Sequence, residues 1–242
     1  MQFMWCGHAT VYMKNCHGTR VLIDAWVDTN PACGADVAQR VREWGVDVIV
    51  LTHGHSDHCA DLAALQRDTG AIVCCQYDAQ EWVTYQHVPQ SAVRAFNKGG
   101  SVTINDLRIT MTAAQHSNSW PTAAGARMLG SEVGYVFRTT GDATVYAAGD
   151  TTVMADMAII GDLYQPHVAL LPIGDRYTMG PYEAAYATKL IHPQAVLPIH
   201  YATFPDLSGT PDLFRAELVQ RGVDVEVLVP TVGEWITWSI KP

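Results

Sequence analysis

Residues 47–58 read Asp47-Val48-Ile49-Val50-Leu51-Thr52-His53-Gly54-His55-Ser56-Asp57-His58. The first five form a short, β-branched apolar run with the character of a buried strand, and the helix-like Ala60-Asp61-Leu62-Ala63-Ala64-Leu65 follows. The histidines therefore fall at the C-terminal end of a strand. Packing does not account for the imidazoles and carboxylate crowded between His53 and His58, because each buried polar group needs its own partner. Neutral imidazole is a common metal ligand, and several donors converging on one turn can share a cation. The stretch predicts a metal site.

The rest of the composition narrows what such a site can serve. A chain of 242 residues is long enough for one large domain or two small ones, and nothing in it reads as a linker, so a single domain over residues 1–242 is expected. With 48% hydrophobic and 16% charged residues it can bury a sizeable core. The formal net charge of −9 lacks the basic footprint of a nucleic-acid binder. A small-molecule substrate is the expected partner, and homo-oligomerisation stays open. Six cysteines, without a C-x-x-C pair or the spacing of a small disulfide scaffold, are read as reduced. Met1 leads straight into Phe3-Met4-Trp5 with no basic segment and no apolar span before it, so a cytoplasmic protein without membrane association is expected.

Outward from the histidine motif, Phe3 to Cys6, Thr10 to Met13 and Arg20 to Asp24 read as a strand meander, and Asp36 to Trp44 as a helix stopped by Gly45. After the motif come a helix to Asp68, a strand from Ala71 to Cys75 and a helix around Ala79 to Gln86. A hairpin about Asn105-Asp106 leads into His116, and residues 117–130, rich in Ser, Pro, Ala and Gly, read as a loop. Gly134 to Thr139, Thr144 to Ala148, His167 to Leu171 and Ala195 to Ile199 read as strands, Pro211 to Arg221 as a helix, and Val223 to Val229 with Trp235 to Ile240 as closing strands. Strand clusters separated by helices suit two packed sheets flanked by helices, an α/β (α+β) arrangement.

Several further motifs stand in order along the chain: Gly7-His8-Ala9, Leu22-Ile23-Asp24, Gln115-His116-Ser117, Ala148-Gly149-Asp150-Thr151, Leu171-Pro172-Ile173-Gly174, Tyr177-Thr178-Met179-Gly180-Pro181 and Pro198-Ile199-His200-Tyr201. Together with the H-x-H-x-D-H stretch they resemble the metallo-β-lactamase superfamily. The resemblance runs to a family of small metal-dependent hydrolases distantly similar to L-ascorbate 6-phosphate lactonase. Asp175 stands where that pattern has a second Gly, and Cys59 where a small residue is common. The resemblance implies an αββα sandwich of two mixed sheets. It also implies one metal site from His53, His55 and His116, a second from Asp57, His58 and His200, and Asp150 bridging them. Nitrogen and oxygen donors without thiolate suit two Zn²⁺ ions and would also accept Mn²⁺, Fe²⁺ or Co²⁺.

Two cations a few Å apart lower the pKa of a shared water and supply hydroxide as nucleophile. The implied reaction is hydrolysis of a small ester or lactone, with Asp57 orienting the nucleophile and shuttling its proton. Asp24 is expected to accept a hydrogen bond from a ligand histidine. His8 reads either as a turn histidine bonded to nearby backbone or as a donor to the substrate's oxyanion or leaving group. The resemblance sets Thr178, Met179, Gly180 and Tyr201 beside the substrate, and Trp120, in the loop after His116, is placed to wall the pocket. Phosphodiester or nucleic-acid hydrolysis by the same two-metal site, flavodiiron-type redox chemistry and a non-catalytic metal-binding role are the competing readings.

Overall fold

The computed structural model describes residues 1–240. The first half of the chain runs β1 (Gln2–Trp5), β2 (Val11–Lys14), β3 (Arg20–Ile23), α1 (Ala35–Trp44), β4 (Val48–Val50), α2 (Ser56–Cys59), α3 (Leu62–Thr69), β5 (Ile72–Gln76), α4 (Gln80–Tyr85) and β6 (Val93–Phe96). The second half runs β7 (Ser101–Ile104), β8 (Leu107–Ala113), β9 (Ser119–Thr122), β10 (Gly125–Met128), β11 (Val133–Arg138), β12 (Val145–Ala147), α5 (Asp156–Tyr164), β13 (Val168–Pro172), α6 (Pro181–Ile191), β14 (Ala195–Ile199), α7 (Pro211–Gln220), β15 (Glu226–Val227) and β16 (Trp235–Thr237). Two seven-stranded sheets result, ordered β16-β1-β2-β3-β4-β5-β6 and β15-β14-β13-β12-β11-β8-β7.

Each sheet is mixed for a local reason. Tight turns keep β1, β2 and β3 antiparallel, whereas the helical crossovers between β3, β4 and β5 make those pairs parallel. In the second sheet β8, β11 and β12 are antiparallel, and β12 to β15 are parallel. Phe3, Val11, Val21 and Val50 of one sheet share a core with Ile109, Tyr135, Val145 and Leu170 of the other. The outer face of the first sheet packs Met4, Tyr12, Leu22 and Ile49 against Val41 of α1 and Leu65 of α3. Strands buried on both faces explain the continuous apolar runs of β4, β13 and β14. The carboxyl ends of the parallel strands of both sheets open on the same edge of the sandwich, the usual place for a ligand in such sheets. Among the described residues no helix is long and apolar enough to cross a membrane.

The structure departs from the sequence reading in several places. Residues 117–130 are not a loop: β9 and β10 pair there as a hairpin. Helices α5 and α6 and strand β6 were not anticipated. In α5 the apolar residues do not follow one stripe, since Ile159 and Leu163 are exposed while Met157 and Ile160 are buried. The expected strand over Val223 to Val229 shrinks to the two residues of β15, the helix expected from Ala60 to Asp68 is α3, and the short helix α2 within the histidine motif is additional.

Candidate metal centre

His53 follows β4, His116 follows β8, Asp150 follows β12 and His200 follows β14, so four strand ends deliver the polar groups to one place. Asp150 Oδ2 lies at their centre. It is 3.0 Å from His200 Nε2, 3.3 Å from His58 Nε2, 3.7 Å from His116 Nε2 and 3.9 Å from His53 Nε2. His53 Nε2 and His55 Nδ1 approach to 3.0 Å. Donor atoms of His53, His55 and His116 lie within 4.8 Å of one another, as do those of His8, Asp57, His58 and His200, and those of His53, His58 and Asp150.

Hydrogen bonds around the cluster decide which way each ring presents its lone pair. Asp24 Oδ2 accepts from His58 Nδ1 at 2.7 Å, which leaves His58 Nε2 facing Asp150. The Thr52 hydroxyl donates to Asp24 at 2.9 Å, so its oxygen is free to accept from His53 Nδ1 at 3.0 Å. One buried carboxylate thus orients two imidazoles, one directly and one through a threonine, as ligand-supporting carboxylates commonly do. On the other side His8 Nε2 sits 3.2 Å from Asp57 Oδ2, and His8 Nδ1 is 2.9 Å from Thr203 Oγ1. Burial drives the His8 pKa down to about 4, so the ring is neutral near pH 7. A neutral ring beside an ionised carboxylate must place its proton on Nε2, and Nδ1 then accepts from Thr203.

The donor set fits a divalent cation. His58 Nε2 and Asp150 Oδ1 are buried without a hydrogen-bond partner, an arrangement that costs about 1–3 kcal/mol per group unless something else satisfies it. With its Nδ1–H given to Thr52, His53 directs a lone pair at His55 Nδ1, and that contact is repulsive unless a proton or a cation lies between. Burial holds the His53, His55 and His116 pKa values down, the neutral state that metal ligation needs. Burial opposes charge on His58 as well, yet Asp150 and Asp24 outweigh it and push His58 well up. The site therefore favours positive charge between these carboxylates, whether carried by a proton or by a metal. The Cys59 thiol contributes nothing here: it points at the His55 carbonyl, 3.0 Å away, and burial keeps it protonated.

Backbone conformation is specialised at the same residues. His8 (φ 53°), Asp24 (φ 59°) and His200 (φ 57°) all lie in the left-handed region. Such a non-glycine conformation costs on the order of 1–3 kcal/mol and persists only where its surroundings enforce it. His200 N–H bonds the His8 carbonyl at 2.9 Å, which locks two of the three together. Between His53 and His55, Gly54 N–H donates to Asn118 Oδ1 at 2.8 Å, and a Cβ at Gly54 would collide with Leu129. The β9–β10 hairpin that carries Leu129 next to it therefore clamps the histidine turn.

A cavity of about 710 Å³ opens over the cluster, exposing Asp57, His55, His116 and His200 on its floor, a size suited to a small molecule. A second cavity, of about 690 Å³, lies between α5 and α6 at the other end of β13, lined by Gln165, His167 and His192 and remote from the cluster. The residues expected against the substrate are elsewhere. Trp120 packs on Trp82 at 5.1 Å, on the helix side of the first sheet, because its hairpin folds back over α4. Tyr201 stacks on Trp5 at 4.7 Å in the core. Met179 is buried with its N–H on the Thr151 carbonyl, Gly180 caps α6, and the Thr178 hydroxyl bonds the Met179 carbonyl. The aromatic residues that do line the cavity are Trp26, Tyr177 and Phe204. Trp26 stands two residues after Asp24 and Tyr177 opens a motif already noted, while Phe204 carries no sequence signal beyond following His200.

Fold and site together define a protein of the metallo-β-lactamase class, two mixed sheets between helices with a His/Asp cluster at one edge. A profile of the β-lactamase superfamily domain matches residues 19–201. Within that superfamily the chain belongs to the UPF0173 metal-dependent hydrolases. It is 47% identical over 233 residues to the member from Roseiflexus sp. (strain RS-1), covering 96% of each chain. It is 46% identical over 231 residues to the member from Chloroflexus aurantiacus, covering 96% of this chain and 95% of the other. Among solved structures it resembles Igni18, a metallo hydrolase from Ignicoccus hospitalis, with a TM-score of 0.87, 33% identity and 99% of each chain covered.

Proposed function

We propose that the chain is a dinuclear metal-dependent hydrolase of a small, uncharged ester or lactone. The observation that carries this reading is the convergence of four imidazole Nε2 atoms on Asp150 Oδ2, between 3.0 and 3.9 Å away. His53, His55 and His116 would hold one cation, and Asp57, His58 and His200 the other, with Asp150 between them. Zinc is the first choice for this nitrogen and oxygen set, which also suits manganese, iron or cobalt. When bound, such ions supply Lewis acidity that activates water near neutral pH and polarises a carbonyl oxygen.

The chain's own residues supply the rest. Asp24 and Thr52 fix the rings of His58 and His53. Asp57, open to the cavity, accepts the proton of the attacking water and passes it to the leaving group. His8 donates to Asp57 and holds that carboxylate in position. Favouring an ester or lactone over a nucleic acid, no lysine or arginine lines the cavity, where a phosphate backbone would need a cationic track.

The test is a hydrolysis panel of lactones, carboxyl esters, phosphodiesters and β-lactams, run on metal-free protein and after addition of Zn²⁺ or Mn²⁺. Metal-dependent turnover of lactones or esters, above that of β-lactams, is expected. Efficient β-lactam or phosphodiester hydrolysis with inert esters and lactones would reverse the assignment.

A further inference from the structure

The lining of the cavity over the cluster is of two chemical kinds. Beside the His and Asp residues stand three aromatic side chains, Trp26, Phe204 and Tyr177. The Trp26 and Phe204 rings lie 6.1 Å apart and are inclined by only 30°. Both set against His8, at 5.2 and 5.5 Å, which ties this wall to the group that holds Asp57. The indole N–H of Trp26 is already given to Thr29 Oγ1 at 2.7 Å, and Phe204 has no polar side-chain atom. Phe204 therefore offers a ligand an apolar face without a hydrogen-bond donor, and Trp26, only 6% exposed, backs it from behind. Phe204 is 37% exposed and Tyr177 51%, though aromatic rings of this size ordinarily bury more of their surface.

Charge on this side is negative or already paired. Asp206 lines the cavity, and Arg176 binds it at 3.1 Å while lying over the Tyr177 ring at 5.4 Å. An anionic group on the substrate, away from the reacting bond, would meet the Asp206 carboxylate, which lines the cavity, whereas Arg176 does not line it.

We propose that the substrate presents an uncharged, planar apolar group to this wall, an aryl or similar ring next to the reacting carbonyl, with Phe204 as the specificity-determining residue. A substrate with a remote phosphate, sulfonate or carboxylate is disfavoured. This inference rests on the reading of the cluster as a metal centre that acts on a carbonyl compound, and it adds which class of carbonyl compound is taken.

Hydroxamates test it without turnover, because they anchor to divalent metal and carry no ester bond. Acetohydroxamate, benzohydroxamate and para-sulfonated benzohydroxamate are titrated by calorimetry into the zinc-loaded protein. Benzohydroxamate is expected to bind at least about tenfold tighter than acetohydroxamate, and the sulfonate should lose about that advantage, as expected for burying one aromatic ring and for stranding one charge. In Phe204→Ala the ratio of benzo- to acetohydroxamate should fall to about twofold, with an intermediate value in Phe204→Leu, which keeps apolar bulk but not the ring. Equal affinities in the wild type, full retention of affinity by the sulfonate, a ratio indifferent to both variants, or no binding of any probe overturns the proposal. Inert esters and lactones in the hydrolysis panel would instead sink the hydrolase assignment, whatever the hydroxamates do.

Discussion

Asp24 accepts the Nδ1–H of His58 at 2.7 Å and, through the Thr52 hydroxyl, governs the ring of His53 as well. Its φ of 59° and almost complete burial show that the fold sustains an unfavourable backbone to place it there. Burial pushes the Asp24 pKa up, and the His58 ring and Thr52 groups oppose that rise by hydrogen-bonding its charged form.

Replacing it by Asn is therefore expected to disturb both halves of the cluster. An amide oxygen still accepts, but the negative charge that favours the His58 tautomer is gone. Zinc affinity, measured by competition with a chromogenic chelator, should fall about 10- to 100-fold, the usual effect of losing a carboxylate behind a ligand histidine. Unchanged affinity would remove Asp24 from the metal centre.

His116→Ala and His200→Ala each delete one group from a different half of the cluster. Elemental analysis of metal-replete wild type is expected to give two ions per chain, and each variant fewer than two. A well-folded wild type with near-zero metal under those conditions contradicts the dinuclear reading.

His8→Ala removes a neighbour of Asp57 without removing any of the seven proposed ligands. Metal content should stay at the wild-type level while turnover on the substrate found by the panel slows by about ten- to a thousandfold, mainly in kcat. A drop in metal content would show His8 to be a ligand itself, and unaltered turnover would confine it to the turn.

The metal-free protein should lose stability in mild acid. Burial lowers the folded-state pKa of His8 from 6.5 to about 4, so between those values the unfolded chain binds a proton that the folded chain refuses. Stability from this group is complete above pH 6.5 and declines as pH falls towards 4, by up to about 3 kcal/mol. Burial lowers His53 and His116 in the same sense. Urea unfolding at pH 6.5 and 4.5 should show the decline, and His8→Gln should reduce it. A flat profile in the wild type would mean that the ring is solvated in the folded state.

The sequence by itself determined the frame of this molecule. The β-branched run Val48 to Val50, the histidine turn behind it and the ordered motifs from Gly7-His8-Ala9 to Pro198-Ile199-His200-Tyr201 are local signals, read within a few residues or by resemblance. Where local signals conflicted, the reading failed. Helix α6 begins with Pro181, and Glu183 accepts from the Gly180 N–H at 3.2 Å, a recognisable helix start hidden inside a stretch interpreted as substrate contact. The hairpin over 119–128 has no regular apolar alternation, because its contacts with Trp82 and the histidine turn, rather than its own pattern, hold it in place. Only the tertiary structure decided that Trp120 packs, partly buried, against the helix side of the first sheet and that Trp26 and Phe204 line the cavity. Those two residues are 178 positions apart, and what brings their rings to 6.1 Å is the packing of the two sheets, a relationship that no local pattern encodes.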